Sequence, residues 1–135
     1  MKIKNKILAI LANNGGGEML IRGLDLKDEY KAINFRKAIN KAIETLIDSE
    51  KEYLKQCNLT AGDNGKLIGS DDDIKRFREL RAEYHKDESE IECKAISFNS
   101  WAKLKQDNIV LAVREVEEAL EGGFWTAPAE EENNS

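Results

Sequence analysis

Apolar positions in this chain recur at three- and four-residue steps over most of its length, the pattern of helices that each bury one face. Ile3, Ile7, Ile10 and Leu11 open it, with Lys2, Lys4 and Lys6 between them, and predict a short amphipathic helix. Asn13, Asn14 and the run Gly15, Gly16, Gly17 end that helix, because consecutive glycines lose too much backbone entropy to stay helical; a turn or hinge follows. Met19, Leu20, Ile21 and Leu24 form an apolar run closed by Gly23 and Asp25, too short for its period to assign, and are read as a docking segment.

From about Asp28 to Cys57 there is no Gly or Pro, and Tyr30, Ile33, Ala38, Ile39, Ala42, Ile43, Leu46, Ile47, Tyr53, Leu54 and Cys57 keep the helical step. Thirty helical residues span about 45 Å, far longer than the mean helix of about 11 residues, so the stripe requires another long element to cover it. Asn58 to Ser70 interrupts the pattern: Asp63, Asn64 and Gly65 supply a tight turn, and Lys66, Leu67, Ile68 a very short strand or an apolar plug. Ser70 to Asp73 places capping side chains and negative charge at the start of a second helix, which Ile74, Phe77, Leu80 and Tyr84 carry to about Asp87. The expected arrangement is a long antiparallel helical hairpin whose two stripes bury each other.

Partial alternation predicts extended chain from about Glu92 to Phe98, and the fold has room for a minor two-stranded β element. Ser100 then caps a last helix through Trp101, Leu104, Ile109, Val110, Val113, Val116 and Leu120, which Gly122 and Gly123 end. The fold class is mainly α. At 135 residues the chain fits a single helical domain over 1–125, followed by an acidic tail over 126–135 expected to be disordered. No apolar run reaches the roughly 18 to 20 residues that cross a bilayer, so a soluble, intracellular protein with no membrane partner is expected.

Candidate chemistry is sparse. Nucleophilic catalysis needs an imidazole beside a nucleophile and an acid behind it, and His85 is the single histidine, late in a charged helix where a packed or solvent-facing role suits it. Cys57, His85 and Cys93 are isolated rather than paired, so neither a zinc site nor a disulfide is expected, and both cysteines are read as reduced core residues. Gly62 to Lys66 lacks the spacing and the following Ser or Thr of a phosphate loop, and Asp71, Asp72 and Asp73 lack the alternate-residue ligands of a calcium loop. The expectation is a non-enzymatic protein without metal or cofactor.

Charge changes the picture more. The formal net charge is -5, yet residues 1–43 hold nine bases and four acids for a net of +5, leaving -10 on the rest. A basic start suits phosphates and an acidic helical surface suits the basic groove of a nucleic-acid enzyme. The favoured account is attraction within the hairpin, the basic start of the long helix facing Asp87, Glu88, Glu90 and Glu92. Tyr30, Phe35, Tyr53, Phe77 and Tyr84 lie at helical spacing and are read as core. Trp101, Phe124 and Trp125 have two open roles, capping the core or anchoring a partner.

The opening Met1-Lys2-Ile3-Lys4-Asn5-Lys6 before an apolar run and the long helix around Ala38-Ile39-Asn40-Lys41-Ala42-Ile43-Glu44 are two parts of a wider order of elements. The turn Asp63-Asn64-Gly65-Lys66, a second charged helix and Glu90-Ile91-Glu92-Cys93 before a final helix complete it. Over roughly residues 1–105 this order resembles a family of small helical phage and prophage proteins of unknown function; the triple glycine and the Val- and Glu-rich last helix depart from it. The resemblance implies a phage protein in the virion or host cytoplasm, and carries over no catalytic residues.

Three roles follow as expectations. The first is a virion structural or assembly component that contacts a protein partner, or a second copy in a homo-oligomer, through helix faces and through Trp101, Phe124 and Trp125. The second is an acidic anti-defence or host-takeover inhibitor that mimics nucleic acid on a host nuclease through Glu79, Glu83, Asp87 and Glu90. The third, less favoured, is nucleic-acid binding by Lys2, Lys4 and Lys6.

Overall fold

The computed structural model describes residues 1–15 and 24–127, so the proposed docking run at Met19 to Ile21 and the acidic tail from residue 128 lie outside the described part. Mainly helical as expected, it contains β1 (Lys2–Lys4), α1 (Asn5–Asn13), α2 (Leu26–Gln56), β2 (Thr60–Ala61), β3 (Leu67–Ile68), α3 (Asp71–Lys86) and β4 (Glu88–Glu90). After these come α4 (Phe98–Asp107), a 3-10 turn (Ile109–Ala112) and α5 (Arg114–Leu120).

Local chemistry sets most boundaries. Asp25 starts α2 by accepting the Asp28 amide at 2.9 Å, and Ser70 starts α3 by accepting the Asp73 amide at 3.1 Å. At the far end of α2 the Asn58 amide bonds the Lys55 carbonyl and the Leu59 amide the Leu54 carbonyl. This double closure requires a left-handed residue between them, and Asn58 supplies it at φ 56°. Arg76 of α3 donates to the Gln56 carbonyl at 2.6 Å, satisfying another group at the same helix end. The predicted turn closes the β2–β3 hairpin, with Gly65 at φ 72°.

The expected antiparallel hairpin of α2 and α3 is present, and it is asymmetric: the second helix is too short to cover the whole stripe of the first. With half the length of α2, α3 packs on its second half, where Tyr53 stacks on Tyr84 at 5.3 Å and Cys57, Leu59 and Phe77 form a small separate core. The first half of α2 is covered by the C-terminal region instead: Phe35 stacks on Phe124 at 4.1 Å, and Trp101, Leu104, Leu111, Val116 and Leu120 complete the main core with α1.

One correction concerns extended chain. Ile3 belongs to a strand rather than to the first helix, facing inward between exposed Lys2 and Lys4. Its partner is Glu88–Glu90, just ahead of the segment expected to be extended, in the antiparallel register Lys2↔Glu90, Ile3↔Ser89, Lys4↔Glu88; within that segment Ile96 makes an isolated bridge to Trp125. Asn5 fixes this junction: its side-chain Nδ2 donates to the Tyr84 carbonyl at 2.8 Å, and its side-chain Oδ1 accepts the Ser89 hydroxyl at 2.7 Å. The pairing partner is set by where short α3 ends, a distance that local alternation does not encode.

The last helix is also divided. Ser97, rather than Ser100, is the N-cap of α4, accepting the Ser100 amide at 3.3 Å. Helix α4 stops at Asp107 because Asn108 turns extended, and the β-branched pair Ile109-Val110 follows in a 3-10 turn. The buried stripe runs through Trp101, Leu104, Leu111, Val116 and Leu120, which leaves Ile109 89% exposed.

Candidate interaction surface

Each residue singled out from the sequence has a definite place. Trp101, Phe124 and Trp125 are 0%, 0% and 5% exposed. Trp101 stacks on Trp125 at 5.2 Å with nearly parallel rings and meets Phe124 edge-on, while the Ile96 amide donates to the Phe124 carbonyl at 2.6 Å. Of the two roles open to them, core capping is the one the packing matches, and the partner-anchoring role is withdrawn: no ring face is left free at the surface.

Glu79, Glu83 and Asp87 are exposed along α3, but so are Lys75, Arg78 and Lys86 between them. Their face is mixed rather than acidic. Glu88 and Glu90 stand opposite Lys4 and Lys2 across the β1–β4 ladder, Lys6 bonds Glu115 at 3.0 Å, and the N-terminal amine lies 3.4 Å from Glu90. Opposite charges at such cross-strand positions attract. The acidic end of the second helix thus meets the N-terminal lysines. It also meets the middle of α2, where Lys41, Ala38, Ala42 and Thr45 share a cleft with Ser89, Glu90 and Glu92. Contrary to expectation it does not reach the start of α2, because α3 is too short.

A second cleft, of about 420 Å³, opens where α1, α2 and α3 meet, lined by Ala9, Asn13, Ile43, Leu46, Ile47, Glu50, Arg81 and His85. Arg81 bonds Glu50 at 2.5 Å and lies over the Phe77 ring at 4.6 Å, so its charge and its planar face are both engaged. Partial burial, then the charge of Arg81, holds the His85 imidazole below its ordinary value, against an opposing pull from Glu50. A depressed histidine pKa means the unfolded chain takes up the proton first, so its stability contribution falls as pH drops through about 6.5. Wild-type melting temperature is expected to decline between pH 7 and pH 5.5 by more than that of His85→Gln; parallel curves would show that His85 carries none of the decline.

The first half of α2 carries two stripes of apolar side chains. Asp28, Ala32, Phe35, Ile39, Ile43 and Leu46 form its buried stripe. On the opposite face, also at three- and four-residue steps, stand Leu26, Tyr30, Ile33 and Lys37. Leu26 is 86% exposed, Tyr30 68%, and Ile33 half-buried. Tyr30 therefore leaves the core expected for it. The phase of Phe35, Ile39 and Ile43 places it across the helix, in a second apolar stripe that the sequence also carries. Lys27 and Lys41 flank this second stripe on one side, and Lys31 lies further round, toward buried Asp28. Between Leu26 and Ile43 five bases stand against two acids, and one of the acids, Asp28, is buried.

Among the described residues no group of three or more His, Cys, Asp or Glu side chains is placed to hold a metal ion, and no helix is long and apolar enough to cross a membrane. Cys57 and Cys93 are free thiols, the first buried and the second half-buried. Comparison with family models, with curated proteins and with solved structures finds no match.

Proposed function

We propose that this is a non-enzymatic interaction protein, a component or assembly factor of a phage particle, that seats a protein partner on the first half of α2. The phage assignment rests on the sequence resemblance. The interaction assignment rests on one observation: Leu26 and Tyr30 project into solvent from a helix whose opposite face is fully packed. A helix apolar on both sides is normally covered on both. Burying each such side chain contributes about 1.5–3 kcal/mol, and tyrosine is enriched among residues that dominate interfaces.

The nuclease-directed alternative has less support, since Glu79 and Glu83 alternate with Lys75 and Arg78. So does nucleic-acid binding by Lys2 and Lys4, which face Glu90 and Glu88. A photo-crosslinking residue placed at position 30 of the full chain, and separately at position 79, tests the assignment in phage-producing cells. A discrete protein adduct is expected from position 30 and none from position 79. Adducts from position 79 alone, or from neither, overturn it.

A further inference from the structure

Building on that reading of α2, we infer that the partner presents an amphipathic helix with carboxylates flanking its apolar seam. Shape is the first argument. Leu26, Tyr30, Ile33 and Lys37 follow steps of four, three and four residues, so they form a straight ridge about 16 Å long. Ridges of this spacing pack along a second helix laid nearly parallel to the first.

Charge selects among occupants. Lys27 and Lys41 lie on one margin of the ridge, in positions equivalent to those where paired helices exchange salt bridges, Lys37 is the last member of the ridge itself, and Glu29 and Arg36 stand on the other margin. A second copy joined symmetrically through this face would set lysines against lysines, which is repulsive. Nucleic acid would bring phosphates against Leu26 and Ile33, which offer no donor, and would leave only the Tyr30 hydroxyl of the three to bond them. A membrane surface rewards a broad apolar face, whereas this ridge is narrow and reaches a lysine at its fourth member. A carboxylate-flanked helix satisfies both the apolar centre and the basic margin.

The test uses the full chain, isotope-labelled for NMR, and two designed helical peptides of about 18 residues. They share one Leu/Ile seam and differ in carrying glutamates or lysines beside it. The glutamate peptide is expected to shift the amide resonances around Leu26, Tyr30, Ile33 and Lys37. It should bind at least about tenfold more tightly than the lysine peptide, an advantage that shrinks as salt rises. The variant carrying Lys27→Glu, Lys37→Glu and Lys41→Glu, checked for native helix content, should reverse the preference. Equal binding, no binding by either peptide, shifts centred on α3, or stronger attachment to phosphatidylglycerol vesicles or to duplex DNA overturns the inference. So does concentration-dependent dimerisation that Tyr30→Glu abolishes. Failure here with a persistent position-30 crosslink removes the acidic-helix assignment alone; loss of that crosslink removes the docking face itself.

Discussion

Trp101→Ala is expected to destabilise the protein by about 4 kcal/mol, a large part of the roughly 5–15 kcal/mol that holds a domain of this size together. The indole is fully buried among Trp125, Phe124 and the C-terminal helices, so truncation removes its packing and leaves a void bordered by two rigid rings. Trp101→Phe should cost much less, about 1–2 kcal/mol, because it keeps one ring in place. It also discards the indole N–H, which is buried without a hydrogen-bond partner. Urea denaturation followed by far-UV circular dichroism measures both. Similar midpoints for Trp101→Ala and the wild type would mean that the aromatic cluster is not the centre of the core.

Asp28→Ala is the second large effect, expected at about 3 kcal/mol. Its carboxylate, 4% exposed, ties the first turn of α2 to the start of α4. One oxygen accepts the hydroxyls of Ser97 and Ser100, each at 2.6 Å, and the other accepts the Ser97 amide at 3.3 Å. Burial alone would raise this carboxyl's pKa. The bonds from Ser100 and Ser97, helped by Lys31, outweigh it and hold the group below the ordinary carboxylate range. A depressed carboxyl pKa contributes stability that is fully present above the unfolded value of about 3.9 and is lost as pH falls through the folded one. Asp28→Asn, which keeps one accepting oxygen, should cost about half as much as alanine and should lose that segment of the acid dependence. Denaturation midpoints at pH 7 and pH 3 compare the three proteins. An Asp28→Asn protein as acid-sensitive as the wild type below pH 4 would place the sensitivity in other carboxylates.

Asp28 also shows where sequence reading loses its grip. Asp25 and Asp28 have the spacing of a helix cap followed by an acid three residues on, a pattern in which the second acid usually turns back on its own helix. Ser97 and Ser100 share that spacing. Nothing local reveals that the acid of the first pair serves the second, since the partners lie 69 and 72 residues apart. The same limit shifted the cap of the last helix to Ser100, a serine whose hydroxyl is committed to Asp28. Tyr30 failed differently. Its step matched a helix, which is correct, but step alone does not say which of two faces turns inward.

Sequence by itself determined the features that depend on neighbours a few residues apart. These are the long uninterrupted α2, the Asp63-Asn64-Gly65 turn, the Ser70 cap of α3 and the stop at Gly122, each governed by backbone entropy, capping or turn geometry. Tertiary structure decided which stripe became the core, which helix half α3 covered, and which strand paired with Lys2–Lys4. It also decided that Trp101, Phe124 and Trp125 close the interior while Leu26 and Tyr30 are left outside. Those outcomes follow from the relative lengths of elements far apart in the chain, and apolar surface goes to whichever neighbour the folded chain brings within reach.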